Sequence, residues 1–222
     1  MSEQTKKENF KTPIAIAKWV TLGKPDTKYK AEGEYRVTLS LPKDAPETVK
    51  FLAQLDAFYV VAVKAVKDKL LSDPKTKLKA KTLKTSNAPY KADLDQEGNE
   101  TGNILVSFKA KASGVKKDKS PWVFKPGMFD AKGIPIAKET SVWGGSKLRV
   151  SYQVSDYYVA ASGEAGLSLK LQAVQILDLK TGGGRDASAY GFEEEEGYSG
   201  EAVNSGSTGD AGDEASADGG DF

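Results

Sequence analysis

Hydrophobic and polar residues alternate along most of this chain. In GEYRVTLSLP (33–42), Tyr35, Val37, Leu39 and Leu41 share one face of an extended strand, and Arg36, Thr38 and Ser40 take the other. In ILVSFKAKA (104–112), Val106, Phe108 and Ala110 oppose Ser107, Lys109 and Lys111. KLRVSYQV (147–154) sets Leu148, Val150, Tyr152 and Val154 against Lys147, Arg149, Ser151 and Gln153. PIAIAKWVTL (13–22), PWVFK (121–125) and GLSLKLQAVQILDL (166–179) complete the set. Successive side chains of a strand point to opposite faces, so these segments predict half-buried strands of an antiparallel sheet or barrel. Near Ala173 the alternation breaks, which predicts a bulge where the barrel turns a corner.

One segment has a helical period. PETVKFLAQLDAFYVVAVKAVKDKLL (46–71) places Val49, Leu52, Leu55, Tyr59, Val63, Val66 and Leu70 on one stripe. Pro46 suits a first helical turn and the SDP run at 72–74 a stop. A single helix of about six or seven turns is therefore expected to interrupt a mainly β chain and to pack across one end of the barrel.

From Thr181 onward Gly, Ser, Ala and acidic residues dominate and the apolar periodicity disappears. Such a segment cannot bury enough apolar surface to offset the entropy of ordering it. The expected organisation is a domain over 1–181 and a disordered acidic tail over 182–222, joined through the glycines at 182–184.

Charge sharpens that division. The chain has 32 Lys and Arg against 31 Asp and Glu, yet its last 37 residues hold 11 acids and no base. The rest therefore carries 32 bases against 20 acids, a net charge of +12. A basic body joined to an acidic tail points to a polyanionic partner for the body. A solvated lysine surface is the plainer explanation of the same charge.

With no Cys and no His, disulfides, cysteine-zinc sites and Cys/His or Ser/His nucleophilic pairs are excluded. No carboxylate pair or metal cluster stands out, so an enzyme is disfavoured and no cofactor or metal is expected. DLDQEG (93–98) begins like a calcium loop, but Ile104 occupies the twelfth position where a bidentate Glu belongs, and a turn is expected. WGGSK (143–147) builds neither a P-loop nor a dinucleotide fingerprint and predicts a tight turn feeding a strand. The NET sequon at 99–101 is read as a chance match. Without an N-terminal apolar segment or a span near 20 apolar residues, the chain is expected to be soluble, cytosolic in type and away from membranes.

Two residue patterns suggest what the basic body binds. In KTKLKAKTLK (75–84), Lys75, Lys77, Lys79 and Lys81 alternate, and in an extended conformation they would line one edge that a single-stranded backbone could track. The alternative is a surface loop whose lysines discourage edge pairing. Similar basic positions recur at Arg36, at Lys109 and Lys111, and at Lys147 and Arg149, which favours a basic concave face. Aromatic residues in polar settings supply the second pattern: Tyr157 and Tyr158 before a Gly-containing loop, and Trp19, Tyr90, Trp122 and Trp143. A ring beside Lys or Arg stacks on an unpaired base, whereas a ring without such a role fills the core. Adjacent residues of a strand face opposite ways, so one of Tyr157 and Tyr158 is expected to leave the core. Trp19 and Trp122 are the other candidates for base contact.

Taken together, GEYRVTLSLP, GGSKLRVSYQV, LSLKLQAVQILDL and the closing DGGDF resemble the T7-type phage single-stranded DNA-binding protein family. The resemblance implies an OB-fold barrel with a long helix between its second and third strands. It also implies a role in phage DNA replication, recombination and repair in the cytoplasm of the infected bacterial host, with the tail contacting polymerase and helicase-type partners. Tyr157 lies where the family places an aromatic in the strand after GGSK, while Tyr158 and Val159 stand near the place of a further Trp.

A physical role for the tail follows from its chemistry. Its carboxylates resemble a phosphate chain to a lysine-lined groove, so it should compete with nucleic acid, and a tailless body should also attract duplex DNA. DNA would displace the tail and present its end to a replication protein. A basic pocket there would take Asp218, Asp221 and the terminal carboxylate, and an apolar hole the ring of Phe222. An RNA-binding cold-shock-like module and a protein adaptor that binds an acidic partner remain alternatives for the body.

Overall fold

The computed structural model describes residues 8–137 and 140–181. In chain order the elements are β1 (Phe10–Lys11), β2 (Ala15–Asp26), β3 (Glu34–Pro42), α1 (Pro46–Ser72), α2 (Lys77–Lys81), β4 (Lys84–Thr85) and β5 (Tyr90–Leu94). They continue as β6 (Glu100–Lys111), β7 (Ser113–Val115), β8 (Pro121–Val123), β9 (Gly127–Phe129), β10 (Lys147–Val159) and β11 (Glu164–Asp178). The tail expected over 182–222, with Asp218, Asp221 and Phe222, lies outside the described residues.

The long strands β2, β3, β6, β11 and β10 form a ring. β2 pairs with β3, β3 with β6, and β10 with β11, all antiparallel. Leu148 of β10 meets Ala15 of β2, and a parallel bridge between Lys109 of β6 and Lys170 of β11 completes the circuit. Closing a sheet removes its free edges, and it turns the apolar face of every strand into one core. Val37, Leu39, Val106, Phe108, Leu148, Val150, Tyr152 and Leu171 are completely buried there.

The predicted bulge is present. Ser151 pairs with Ala173 but Tyr152 with Leu171, leaving Gln172 out of register. At this point β11 leaves its bridge with β6 and takes β9 as its neighbour, Ala173 opposite Gly127. Thr38 departs from the simple alternation, since it points outward yet is buried. Its cross-strand neighbours are Trp19 and Ser107, and its hydroxyl lies 2.9 Å from that of Ser107.

The long helix lies between the second and third long strands and ends within a residue of its expected bounds. Its buried stripe is Thr48, Phe51, Leu55, Ala62, Val66 and Leu70, with Val49 exposed and Leu52, Tyr59 and Val63 at the margin. Aromatic packing selects this rotation. Phe51 meets Tyr152 edge-on at 6.2 Å between ring centroids, and Phe58 meets Phe10 at 4.6 Å. Farther along, Val66 and Leu70 join Ala80 and Ala165 in a second, smaller core.

That smaller core corrects the expectation for 75–84. Residues 77–81 form α2 rather than an extended edge, because helical spacing buries Ala80 against Val66 and Leu70 of α1. Lys77 and Lys81 are then one turn apart and Lys79 points away from both, so no row of lysines forms. Among the described residues, no helix is long and apolar enough to cross a membrane.

Candidate nucleic-acid interface

Three depressions join on the outer surface of the barrel. The largest, about 560 Å³, is lined by Lys30, Glu34, Lys109, Lys111, Trp122 and Lys170 among others. A second, about 380 Å³, is bounded by Lys18, Trp19, Thr21, Glu34 and Arg36. A third, about 280 Å³, is bounded by Pro89, Ser107, Lys109, Tyr157 and Leu167. Glu34 borders the first and second and Lys109 the first and third, so the three adjoin as one grooved stretch of surface.

Strand register builds the basic floor. Arg36 of β3 lies opposite Lys109 of β6, which lies opposite Lys170 of β11; Glu34 lies opposite Lys111. Outward positions of three strands thus align side by side, at the roughly 4.8 Å spacing of neighbouring strands.

One wall is the β7–β8 hairpin, in which Gly114 pairs with Trp122. A Cβ on Gly114 would lie 2.7 Å from Cζ2 of Trp122, so the missing side chain is what lets the indole lie across the hairpin. At the second depression Trp19 is 51% exposed, with Lys18 Nζ 5.2 Å from its ring centroid. At the third, Tyr157 leans over Gly166, where a Cβ would come within 2.6 Å of the phenol oxygen. Its neighbour Tyr158 faces the other way and packs against the Val66, Leu70, Ala80 and Ala165 core. The strand geometry therefore assigns Tyr157 to the groove and Tyr158 to the α1–α2 side.

The groove's charges are already paired. Lys30 Nζ donates to Glu34 Oε2 at 2.8 Å and Arg36 Nη2 donates to Glu34 Oε1 at 2.9 Å, while Lys109 Nζ stands 3.9 Å from the same Oε1. Lys111 Nζ lies 3.0 Å from Glu32 Oε2. Burial alone would raise the Glu34 carboxyl, but the hydrogen bonds from Lys30 and Arg36 and the charge of Lys109 hold it below its ordinary value.

Trp19, Arg36, Lys109, Lys111, Trp122 and Tyr157 are thus brought together. Lys77, Lys79 and Lys81 stand exposed on α2 and line none of the three depressions. Lys147 and Arg149 occupy the opposite end of β10 from Tyr157, roughly 26 Å away along the strand for Arg149. Arg149 pairs across to Gln175, and its Nε is buried without a hydrogen-bond partner among the described residues. Lys30, Glu34, Phe124 and Lys170 also border the groove and went unrecognised in the sequence. Lys170 could have been found, since it takes the polar phase of GLSLKLQ; Glu34 has Lys30 and Arg36 close in sequence, but Lys109 is a partner that only the fold supplies.

The two motifs expected to be turns are turns. Asp95 accepts backbone N–H bonds from Glu97 and Asn99, both at 2.9 Å, and Asp93 is buried in an ion pair with Lys18. Gly145, at φ +91°, turns the chain into β10. Among the described residues, no group of three His, Cys, Asp or Glu could hold a metal ion.

Comparison with known proteins adds ancestry to this geometry. The family model described as single-stranded DNA-binding protein, bacteriophage T7, matches residues 14–179. The single-stranded DNA-binding protein of Escherichia phage T7 is 28% identical over 168 residues, covering 75% of this chain and 71% of the relative. That of Enterobacteria phage T3 is 28% identical over 166 residues, covering 74% and 70%. The crystal structure of the single-stranded DNA-binding protein encoded by bacteriophage T7 aligns with a TM-score of 0.65 at 25% identity, covering 87% of this chain and 99% of that one.

Proposed function

The chain belongs to the T7-type phage single-stranded DNA-binding protein family, and from that premise we propose that it coats single-stranded DNA, without sequence preference, along the groove described above. Phosphates take Arg36, Lys109 and Lys111, and unpaired bases stack on Trp19, Trp122 and Tyr157. The adjacency of the three depressions carries this reading: rings from β2, β8 and β10 and cations from β3 and β6 border one run of surface. Every base has a π-face and every nucleotide a phosphate, so this chemistry holds a strand without reading its sequence. Replication, recombination and repair in the host cytoplasm are the settings in which such a coat is needed.

Residues 182–222 supply a second function in this proposal. Their acids weaken DNA binding by competing as a polyanion, and Asp218, Asp221 and Phe222 recruit replication proteins of polymerase or helicase type. The charge split, −11 over residues 186–222 against +12 for the rest, supports the competition.

Titration of labelled oligo-dT by anisotropy, with the full chain and with a 1–181 truncation over a salt series, tests both. Salt-sensitive binding that tightens on truncation, with duplex binding gained by the truncated form, is the expected result. Absence of any salt-sensitive binding would overturn the groove assignment. Equal affinity of the two forms would overturn the competition, and tighter binding to oligo-rU than to oligo-dT would favour an RNA-binding role.

A further inference from the structure

The groove contains a carboxylate at its centre, and a surface built only to attract phosphate has no use for one. Glu34 belongs to the first strand position after the β2–β3 turn. Gly33 makes that turn at φ +73°, and any Cβ there would meet Pro25 at 2.9 Å and Ala112 at 3.2 Å. The turn therefore holds Glu34 rigidly at the junction of two depressions. Its side chain is only 14% exposed, while the cations around it are about half exposed. Lys30 and Arg36 hydrogen-bond to its two oxygens and Lys109 approaches the same carboxylate.

We infer that Glu34 is a built-in stand-in for a DNA phosphate, which occupies Lys30, Arg36 and Lys109 until a strand displaces it and so weakens DNA binding and eases release. This rests on the proposed single-stranded DNA-binding role of the groove. A phosphate that takes these cations breaks two charge-assisted hydrogen bonds and leaves a half-enclosed carboxylate facing like charge. The net gain per phosphate falls accordingly. One internal negative charge also lowers by about one the number of phosphates the groove neutralises, which flattens the salt dependence by about 0.7 in log K against log salt. Neutralising the carboxylate restores that increment, equivalent to about fourfold tighter binding at 0.15 M salt.

Glu34→Gln keeps the shape of the side chain and removes the charge. Glu100→Gln removes an equal charge from the Lys43 pair away from the groove and controls for net charge. Oligo-dT anisotropy over a salt series is measured for both variants and the unaltered chain, with a thermal melt to establish folding. The expected result is at least fourfold tighter binding and a steeper slope for Glu34→Gln, with Glu100→Gln close to the unaltered chain. Unchanged or weaker binding by folded Glu34→Gln would overturn the inference, and weaker binding would instead mean that Glu34 positions its cations. Equal tightening by Glu100→Gln would also overturn it, since net charge would then explain the effect. Should Glu34→Gln fail to fold, Glu32→Gln, which frees Lys111 at the other side of Gly33, must show the same direction of change. If the unaltered chain shows no binding at all, the reading of the groove fails, a result distinct from a failure of the Glu34 inference.

Discussion

Replacing Tyr157 by Ala isolates the stacking contribution to the proposed interface. The ring emerges from β10 at the third depression, beside Lys109, Pro89 and Leu167, and rests on Gly166. It carries no charge and lies beyond the buried core of Tyr152 and Phe108, so its loss removes a platform without removing a phosphate contact. Stacking of one base is worth ~1–3 kcal/mol, or about five- to 150-fold in Kd. We expect a Kd raised about tenfold, with the slope of log K against log salt unchanged because no counterion is released by a stack. Tyr157→Phe keeps the ring and should bind within about twofold of the unaltered chain. Anisotropy with oligo-dT at four or five salt concentrations gives affinity and slope together, and a thermal melt establishes that the variant is folded. An unchanged Kd, or a loss accompanied by a clearly flatter slope, would refute the assignment of Tyr157 to base stacking.

Lys109→Ala should do the opposite, flattening the salt slope by about 0.7 with a loss that shrinks as salt rises; the same titration reads it. A stability prediction concerns Tyr152, whose hydroxyl is buried without a hydrogen-bond partner among the described residues. Tyr152→Phe should raise stability by about 1 kcal/mol in chemical denaturation, because an unsatisfied buried polar group is removed; a loss of stability would mean that the hydroxyl has a partner. Burial pushes the Tyr152 phenol up to about 12. Since the folded form holds its proton more tightly than the unfolded form, stability is independent of this ionisation below pH ~10 and falls as pH rises from there toward 12. Denaturation midpoints between pH 9 and pH 11 should therefore fall less steeply in Tyr152→Phe than in the unaltered chain.

Sequence alone determined the β character of the chain, the long helix and even the bulge beside Ala173. Each of these is a local property. Whether Val37 or Arg36 points inward follows from the two-residue period of a strand, and the placement of Leu55 and Val66 from the helical period. The outward direction of Arg36, Lys109 and Lys111 was legible for the same reason, whereas the alternation left open which of Tyr157 and Tyr158 leaves the core, and packing of Tyr158 against Val66, Leu70, Ala80 and Ala165 decided it. The rotation of α1 was not, because Phe51 and Phe58 find their partners in Tyr152 and Phe10, on strands far away in sequence. The alternating lysines at 77, 79 and 81 misled, because the period of the charges matters less than a burial site for Ala80, and that site is made by α1 and β11.

Only the tertiary structure decided which outward residues become neighbours. Lys109 meets Lys170 through a single parallel bridge at the barrel seam, and Arg36 meets Lys109 through the β3–β6 register. Glu34 has Lys30 and Arg36 beside it in sequence, and the β3–β6 pairing adds Lys109 as the third cation around its carboxylate. A strand's own residues specify its two faces, but its register is set when the apolar faces of five strands pack into one closed core. A slip of one residue would turn those faces inside out, so the core locks the register, and the register in turn composes the groove.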